Sequence, residues 1–204
     1  LFRSASYADL PVFWRIPIPA DDLGDADSAF PGGMAVDENG NLFLANGHNG
    51  LLRFDVEGNL LQSYSVPTES NLRDVAVDGK DSLTVTDMTY QWFISLAYDG
   101  TQLLAGGSDF GWDAPREVAI NPLDGSTFLL DETAERSLIR VYAGDTGEWL
   151  RDIPLEPHGY AVHCGLAFGP DGALYTLDKT QPAVTKIDPV SGEIGKSIVF
   201  AVSQ

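Results

Sequence analysis

A short apolar motif occurs four times along the chain, and its spacing constrains the fold more than any other feature. Gly33-Met34-Ala35-Val36-Asp37 recurs as Asp74-Val-Ala-Val-Asp78, Glu117-Val-Ala-Ile-Asn121 and Gly165-Leu-Ala-Phe-Gly169, at spacings of 41, 43 and 48 residues. Each copy is followed by a second run: Leu42 to Asn46, Leu83 to Asp87, Phe128 to Asp131 and Leu174 to Asp178. A third run follows at Leu51 to Phe54, Phe93 to Leu96, Leu138 to Val141 and Val184 to Ile187. Then comes a glycine turn (Gly58, Gly100, Gly147, Gly192) and a fourth run: Leu60 to Val66, Thr101 to Leu104, Glu148 to Leu155 and Ile194 to Val202. Runs this short, separated by Asx-Gly and Glu-Gly turns, are strands of an antiparallel meander.

A four-stranded unit of about 40 to 45 residues is the period of a β-propeller blade. One meander cannot bury both of its faces, so blades stack around an axis and cover each other. The small apolar first run suits the crowded axis. The fourth is the outer edge, where Pro17, Pro19 and Pro154 are tolerated because a missing N–H there faces no partner. The expected fold is therefore all-β, one propeller domain over residues 1–204, with blades at 30–66, 72–104, 115–155 and 162–202. Leu1 to Ile18 aligns with the third and fourth strands of a blade, a half-blade whose first two strands are not in the sequence. A six-bladed ring needs roughly 250 residues at this period. The expectation is a ring completed by more chain or by a neighbouring subunit joining along Leu1 to Ser6, which would make the protein assemble.

Residues 31 to 60 carry Pro31-Gly32 ahead of Ala35-Val36-Asp37, then Gly40-Asn41-Leu42-Phe43, then Arg53-Phe54-Asp55 and Gly58. This pattern resembles the NHL repeat, and the likeness continues more loosely over 72–104, 115–150 and 162–195. The resemblance implies a propeller of six blades. NHL-type propellers include interaction modules, while the related gluconolactonase-like and amidating-lyase-like propellers are metal-dependent enzymes. For the lactonase-like group the resemblance implies a calcium-binding Asn just before the first strand. The matching positions here are Gly32, Arg73, Arg116 and Cys164. For the lyase-like group it implies zinc-binding histidines, and only His163 stands beside such a position. Neither ligand set carries over. The resemblance thus favours a non-enzymatic module, with a divalent-metal-dependent hydrolase or lyase as the alternative.

Charge narrows the partners. Thirty acidic residues against 12 basic ones leave a formal charge of −18. Phosphate backbones require a basic footprint, so nucleic acid is excluded as an expected partner. The acidity fits a cation-binding, secreted or high-salt protein, or solubility alone, and the expected location is extracellular or in the cell envelope. Cys164 is the only cysteine, so no intrachain disulfide forms. No run of 18 apolar residues predicts a membrane span.

The loops before each first strand share a face with those joining strands two and three, and that face is the expected binding surface. Its first loop places Asp21, Asp22, Asp25 and Asp27 within seven residues, a density suited either to Ca²⁺ or to a solvated acidic loop. His48, Tyr90, Trp92, Trp112, His158, Tyr160 and His163 lie on the same face. Aromatic rings beside carboxylates and amides suit a glycan or protein ligand; the alternative is that Trp92 and Trp112 tuck into the core. Arg73 and Arg116 begin first strands near the axis, where they either pair with acids and plug the channel or hold an anionic group. Asn46, Asp87, Asp131 and Asp178 end every second strand, which points to turn closure. Arg3, Arg53, Arg140 and Lys186, a series broken by Ser95, read as a solvent-side stripe paired with acids. No nucleophile elbow, phosphate loop or Ser-His-Asp pattern is present.

Overall fold

Asp37 shows why the chain reverses where it does. Its carboxylate accepts hydrogen bonds from the Asn39 amide (2.9 Å), the Asn41 amide (2.8 Å) and the Asn41 side chain (2.8 Å). Asp55 repeats the device on Glu57 and Asn59, and Asp78 repeats it on Lys80 and Ser82. An Asx side chain that satisfies the amides two and four residues on closes a tight turn without help from the rest of the fold. The short apolar runs between these turns then pair as antiparallel strands.

A computed structural model describes residues 32–48, 50–67, 69–107, 115–132, 137–155, 163–178, 183–195 and 198–199. Blade 1 comprises β1 (Met34–Val36), β2 (Leu42–Ala45), β3 (Leu51–Phe54) and β4 (Leu60–Tyr64). Blade 2 comprises β5 (Leu72–Val77), β6 (Ser82–Asp87), β7 (Trp92–Ala97) and β8 (Gln102–Gly106). Blade 3 comprises β9 (Pro115–Ile120), β10 (Thr127–Glu132), β11 (Ser137–Tyr142) and β12 (Trp149–Leu155). Blade 4 comprises β13 (His163–Phe168), β14 (Leu174–Asp178), β15 (Ala183–Ile187) and β16 (Ile198–Val199). Each blade is one sheet with its strands hydrogen-bonded in chain order, and all pairs are antiparallel. The innermost strands β1, β5, β9 and β13 lie side by side in succession. The architecture is the all-β propeller expected from the repeat. The half-blade expected at residues 1–18 lies outside the described residues. No helix among the described residues is long and apolar enough to cross a membrane.

The core sits between blades. Phe43, Ala45, Leu51, Val75, Leu83 and Val85 fill the first junction, Phe93, Val118, Leu129 and Tyr142 the second, and Phe128, Leu130, Ile139, Leu166 and Leu174 the third. The two terminal faces differ. Met34 is 66% exposed, whereas Val75, at the same position in blade 2, is 3% exposed. Leu177 is 42% exposed, whereas its blade 3 counterpart Leu130 is fully buried.

Of the expected solvent-side stripe of basic residues, Lys186 keeps its place, exposed and 2.7 Å from Asp171, whereas Arg53 and Arg140 do not. Arg53 pairs with Phe43 in the ladder, and its guanidinium lies 5.3 Å from the Phe43 ring and 4.7 Å from the Tyr98 ring of blade 2. Arg140 stands opposite Leu129, one step out of that register, and is buried against Asp131 (3.1 Å) and Asp152 (3.9 Å). A one-residue shift turns a side chain to the other sheet face. Arg53 therefore points toward the following blade, while Arg140 shares its face with Tyr142, which packs against the preceding one.

Candidate functional site

Three of the four inner strands, β5, β9 and β13, carry a bulge near their start. Pairing passes from Leu72 to Asp74, from Pro115 to Glu117 and from Cys164 to Leu166, so Arg73, Arg116 and Gly165 fall out of the ladder. A bulge re-aims the side chain it carries. It places Arg73 and Arg116 beside the axis on the face where β2–β3 and β6–β7 turn.

Around these bulges the blades are stitched by polar bonds. The Gly33 amide donates to the Arg73 carbonyl at 2.7 Å. The Asp74 amide donates to Thr86 Oγ1 (3.1 Å), and that hydroxyl donates to the Arg116 carbonyl (3.2 Å). The Val118 amide donates to Asp74 Oδ2 at 2.9 Å, reaching from blade 3 to blade 2. Gly33 has to be glycine, because a Cβ there would stand 1.5 Å from Asp74 Oδ1. Burial pushes the Asp74 carboxyl up to about 7; the bond from the Val118 amide opposes that rise and the adjacent Glu117 carboxyl adds to it. Asp74 and Glu117 lie on a broad axial cavity of about 500 Å³, otherwise walled by apolar residues of the four inner strands.

Blades 3 and 4 are joined by a buried cluster that the sequence did not reveal as a unit. Glu132 Oε1 accepts from the His163 amide (2.7 Å) and from Ser137 Oγ (3.0 Å), and lies 3.2 Å from His163 Nδ1. Ser137 Oγ is itself 2.9 Å from His163 Nδ1. Arg116 Nε lies 3.9 Å from Glu132 Oε2. Burial of Glu132 works against ionisation, but the His163 ring, the His163 amide and Ser137 together hold its carboxyl below the usual range. Hydroxyl and carboxylate here meet the same ring nitrogen. A nucleophile relay needs them on opposite nitrogens, so this geometry suits a clamp between blades rather than an activated serine. Arg116 and His163 are each legible in the sequence as polar residues near this end of the blades. Ser137 was missed, because nothing in its local sequence sets it apart from the strand it opens.

The remaining candidates are distributed over the same face. His48 is exposed, with Nδ1 2.8 Å from the Ser70 carbonyl, tying the turn of blade 1 to the segment entering blade 2. Asp87, at the end of β6, receives the amides of Thr89 (2.9 Å), Tyr90 (3.3 Å) and Asn71 (3.1 Å), which shapes the β6–β7 turn. Gln91 takes the left-handed conformation at φ 55° and brings Tyr90 back over Trp92, with ring centroids 5.3 Å apart. Tyr90 is 38% exposed, while Trp92 is half-buried against the core of the first junction. Trp112, His158, Tyr160 and the Asp21, Asp22, Asp25 and Asp27 loop lie outside the described residues. Among the described residues, no group of three or more His, Cys, Asp or Glu is placed to hold a metal ion.

No protein-family model and no curated protein sequence matches the chain. Solved structures do. Hydrazine synthase of Kuenenia stuttgartiensis is similar with a TM-score of 0.69 and 19% identity, over 85% of this chain and 50% of that one. A streptogramin B lyase is similar with a TM-score of 0.69 and 16% identity, over 85% of this chain and 55% of that one. A protein of unknown function from Bacteroides caccae is similar with a TM-score of 0.68 and 15% identity, over 92% of this chain and 64% of that one. At such identities the likeness is one of fold. The chain spans about half to two thirds of the length of these solved chains.

Proposed function

We propose that this chain is a non-enzymatic, NHL-type propeller module, exposed outside the cell or in its envelope, that binds a glycan or a protein segment. The Tyr90–Trp92 pair carries the reading. It is an aromatic step at the β6–β7 turn, whose backbone Asp87 holds, on the end of the blades that also carries the β2–β3 turn with His48. A ring of this kind supplies flat apolar area, and the neighbouring polar groups orient what lands on it. The surrounding acidity and the Asp21 to Asp27 loop fit weak calcium binding as an accessory.

The exposed terminal faces support a second part of the proposal, a larger assembly. Met34 and Leu177 occupy positions that are buried wherever another blade follows or precedes. Further blades, from more polypeptide or from a neighbouring subunit, cover them.

The rival reading is a divalent-metal-dependent hydrolase or lyase. It draws on Asp74 and Glu117 at the axial cavity and on the lyases that share the fold. The described residues do not fit a metal, since only two carboxyl groups converge there.

Tryptophan fluorescence titrations against oligosaccharides and peptides test the binding reading. Tyr90→Ala is expected to weaken the best ligand by at least about tenfold, as an anchoring aromatic does, with an unchanged melting temperature. An affinity unaltered by Tyr90→Ala, or a ligand turned over rather than bound, would defeat it.

A further inference from the structure

The three blade junctions are not filled alike, and the difference leaves a cleft. At the first junction, Phe43 and Arg53 of blade 1 reach toward blade 2, where Tyr98 lies over the guanidinium, while Asp37 of blade 1 lies 3.8 Å from it. At the third junction, Phe128 meets Phe168 edge-on at 5.1 Å, and Arg151 Nη2 donates to the Pro189 carbonyl of blade 4. Each filled junction thus contains a phenyl ring and a guanidinium.

At the corresponding positions the second junction has neither among the described residues; its Phe93 ring and Arg140 guanidinium stand elsewhere between the two blades. Strand pairing puts Thr84 at the position of Phe43 and Phe128, because all three stand opposite the middle alanine of the inner strand. Ser95 pairs with Thr84 as Arg53 pairs with Phe43. Leu104 follows Ser95 in the ladder, where Arg151 follows Val141 in blade 3. Tyr98 is replaced by Gly144, whose Cβ would strike the Gly125 carbonyl at 2.1 Å. The packing confirms these equivalences: Gly100 lies against Gln62, Gly147 against Leu104 and Gly192 against Ile153, each a strand-three-to-four turn on the preceding blade's outer strand.

The outcome is a cleft of about 330 Å³ between blades 2 and 3, lined by Thr84, Ser95, Leu104, Ile120, Asp78 and Asp145 among others. That size lies at the lower end of small-molecule sites, which run from roughly 300 to 1,000 Å³. Thr84 Oγ1 and Ser95 Oγ are buried and 2.7 Å apart, and their bond to each other leaves lone pairs that can accept from the N–H groups of a guanidinium. Asp78 is the repeat counterpart of Asp37, the acid that faces the Arg53 guanidinium at the first junction. The apolar wall of Leu104 and Ile120 takes the place of ring contacts. The charge of −18 draws cations toward the surface.

We propose that this cleft is a binding site for a guanidinium or amidinium carried on a flat apolar body, the group that the first and third junctions place at this end from their own side chains. It opens among the strand-one-to-two and strand-three-to-four turns, on the opposite end of the blades from Tyr90, and is independent of the binding reading above. The ligand is either a free arylguanidinium or an arginine side chain on a partner peptide. Calorimetric titration with benzylguanidine and with a Phe-Arg amide tests it and distinguishes those sources. Tighter binding of the dipeptide assigns the site to a peptide, and tighter binding of benzylguanidine assigns it to a small molecule.

Wild-type protein is expected to bind at least one probe saturably, and benzyl alcohol at least about tenfold more weakly. The double substitution Thr84→Phe with Ser95→Arg rebuilds the first junction inside the second. It should abolish binding while leaving the melting temperature equal or higher. Ser95→Val, which installs the residue blade 3 has at that position, serves if the double variant fails to fold. It should weaken the probes at least about threefold. No saturable binding by wild type up to about 10 mM, or binding that Ser95→Val and the double variant leave unchanged, overturns the proposal.

Discussion

Replacing Asp74 by Asn isolates the main electrostatic liability in the described fold. Asp74 is buried where blades 1, 2 and 3 meet, and its carboxyl is pushed from 3.8 to about 7, mainly by burial. The unfolded chain releases this proton near 3.8, whereas the folded chain keeps it up to about 7. Between those values the folded state binds more protons, so stability falls as pH rises through the interval. At 1.36 kcal/mol per unit, the loss attributable to this one group is of the order of 4 kcal/mol. Asn has the same shape, and its side-chain oxygen still accepts the Val118 amide now held by Oδ2. Its amino group faces Glu117 as a donor, and it does not titrate. Urea unfolding at about pH 5 and pH 8 is the assay. Wild type is expected to lose several kcal/mol between them, and Asp74→Asn to be flatter by about 2 to 4 kcal/mol, with most of its advantage at the upper pH. Parallel profiles for the two proteins would refute the reasoning, because they would mean that Asp74 ionises in the folded state as it does in the unfolded one.

Glu132 has the opposite linkage. Its folded carboxyl is held low, so its contribution is present above the unfolded value of 4.5 and is lost as acid protonates it below that. Glu132→Ala strands the His163 amide and Ser137, and a fall of about 3 kcal/mol is expected in chemical unfolding; Glu132→Gln, which keeps an acceptor, should cost only about 1 kcal/mol. Gly33→Ala forces a methyl group onto the Asp74 carboxylate, so a loss of about 1 to 3 kcal/mol or more is expected by thermal or urea melts.

The blades themselves were legible in the chain. Asp37, Asp55 and Asp78 close their turns with atoms two to four residues away, and the strands between turns need only alternate and be short. Such local rules show in any window of ten residues, and their return after about 40 residues implies stacking. Asp87 as a turn-shaping acid was readable for the same reason. What the window does not contain is register and the neighbouring blade. Arg53 and Arg140 look equivalent in sequence, but a one-step shift in pairing sends one toward Tyr98 and buries the other against Asp131. Glu132, Ser137 and His163 are separated by up to 31 residues, and only the packing of blade 4 on blade 3 brings them onto one carboxylate. Thr84, Ser95 and Gly144 are ordinary in isolation. They form a cleft only because the opposing surface of blade 3 does not reach into the space that Phe43, Arg53 and Tyr98 fill one junction earlier. Turns and strand lengths are decided by short-range hydrogen bonds and alternation, which the chain carries locally. Junctions are decided by which side chains two separately folded sheets present to each other, and that exists only once they have packed.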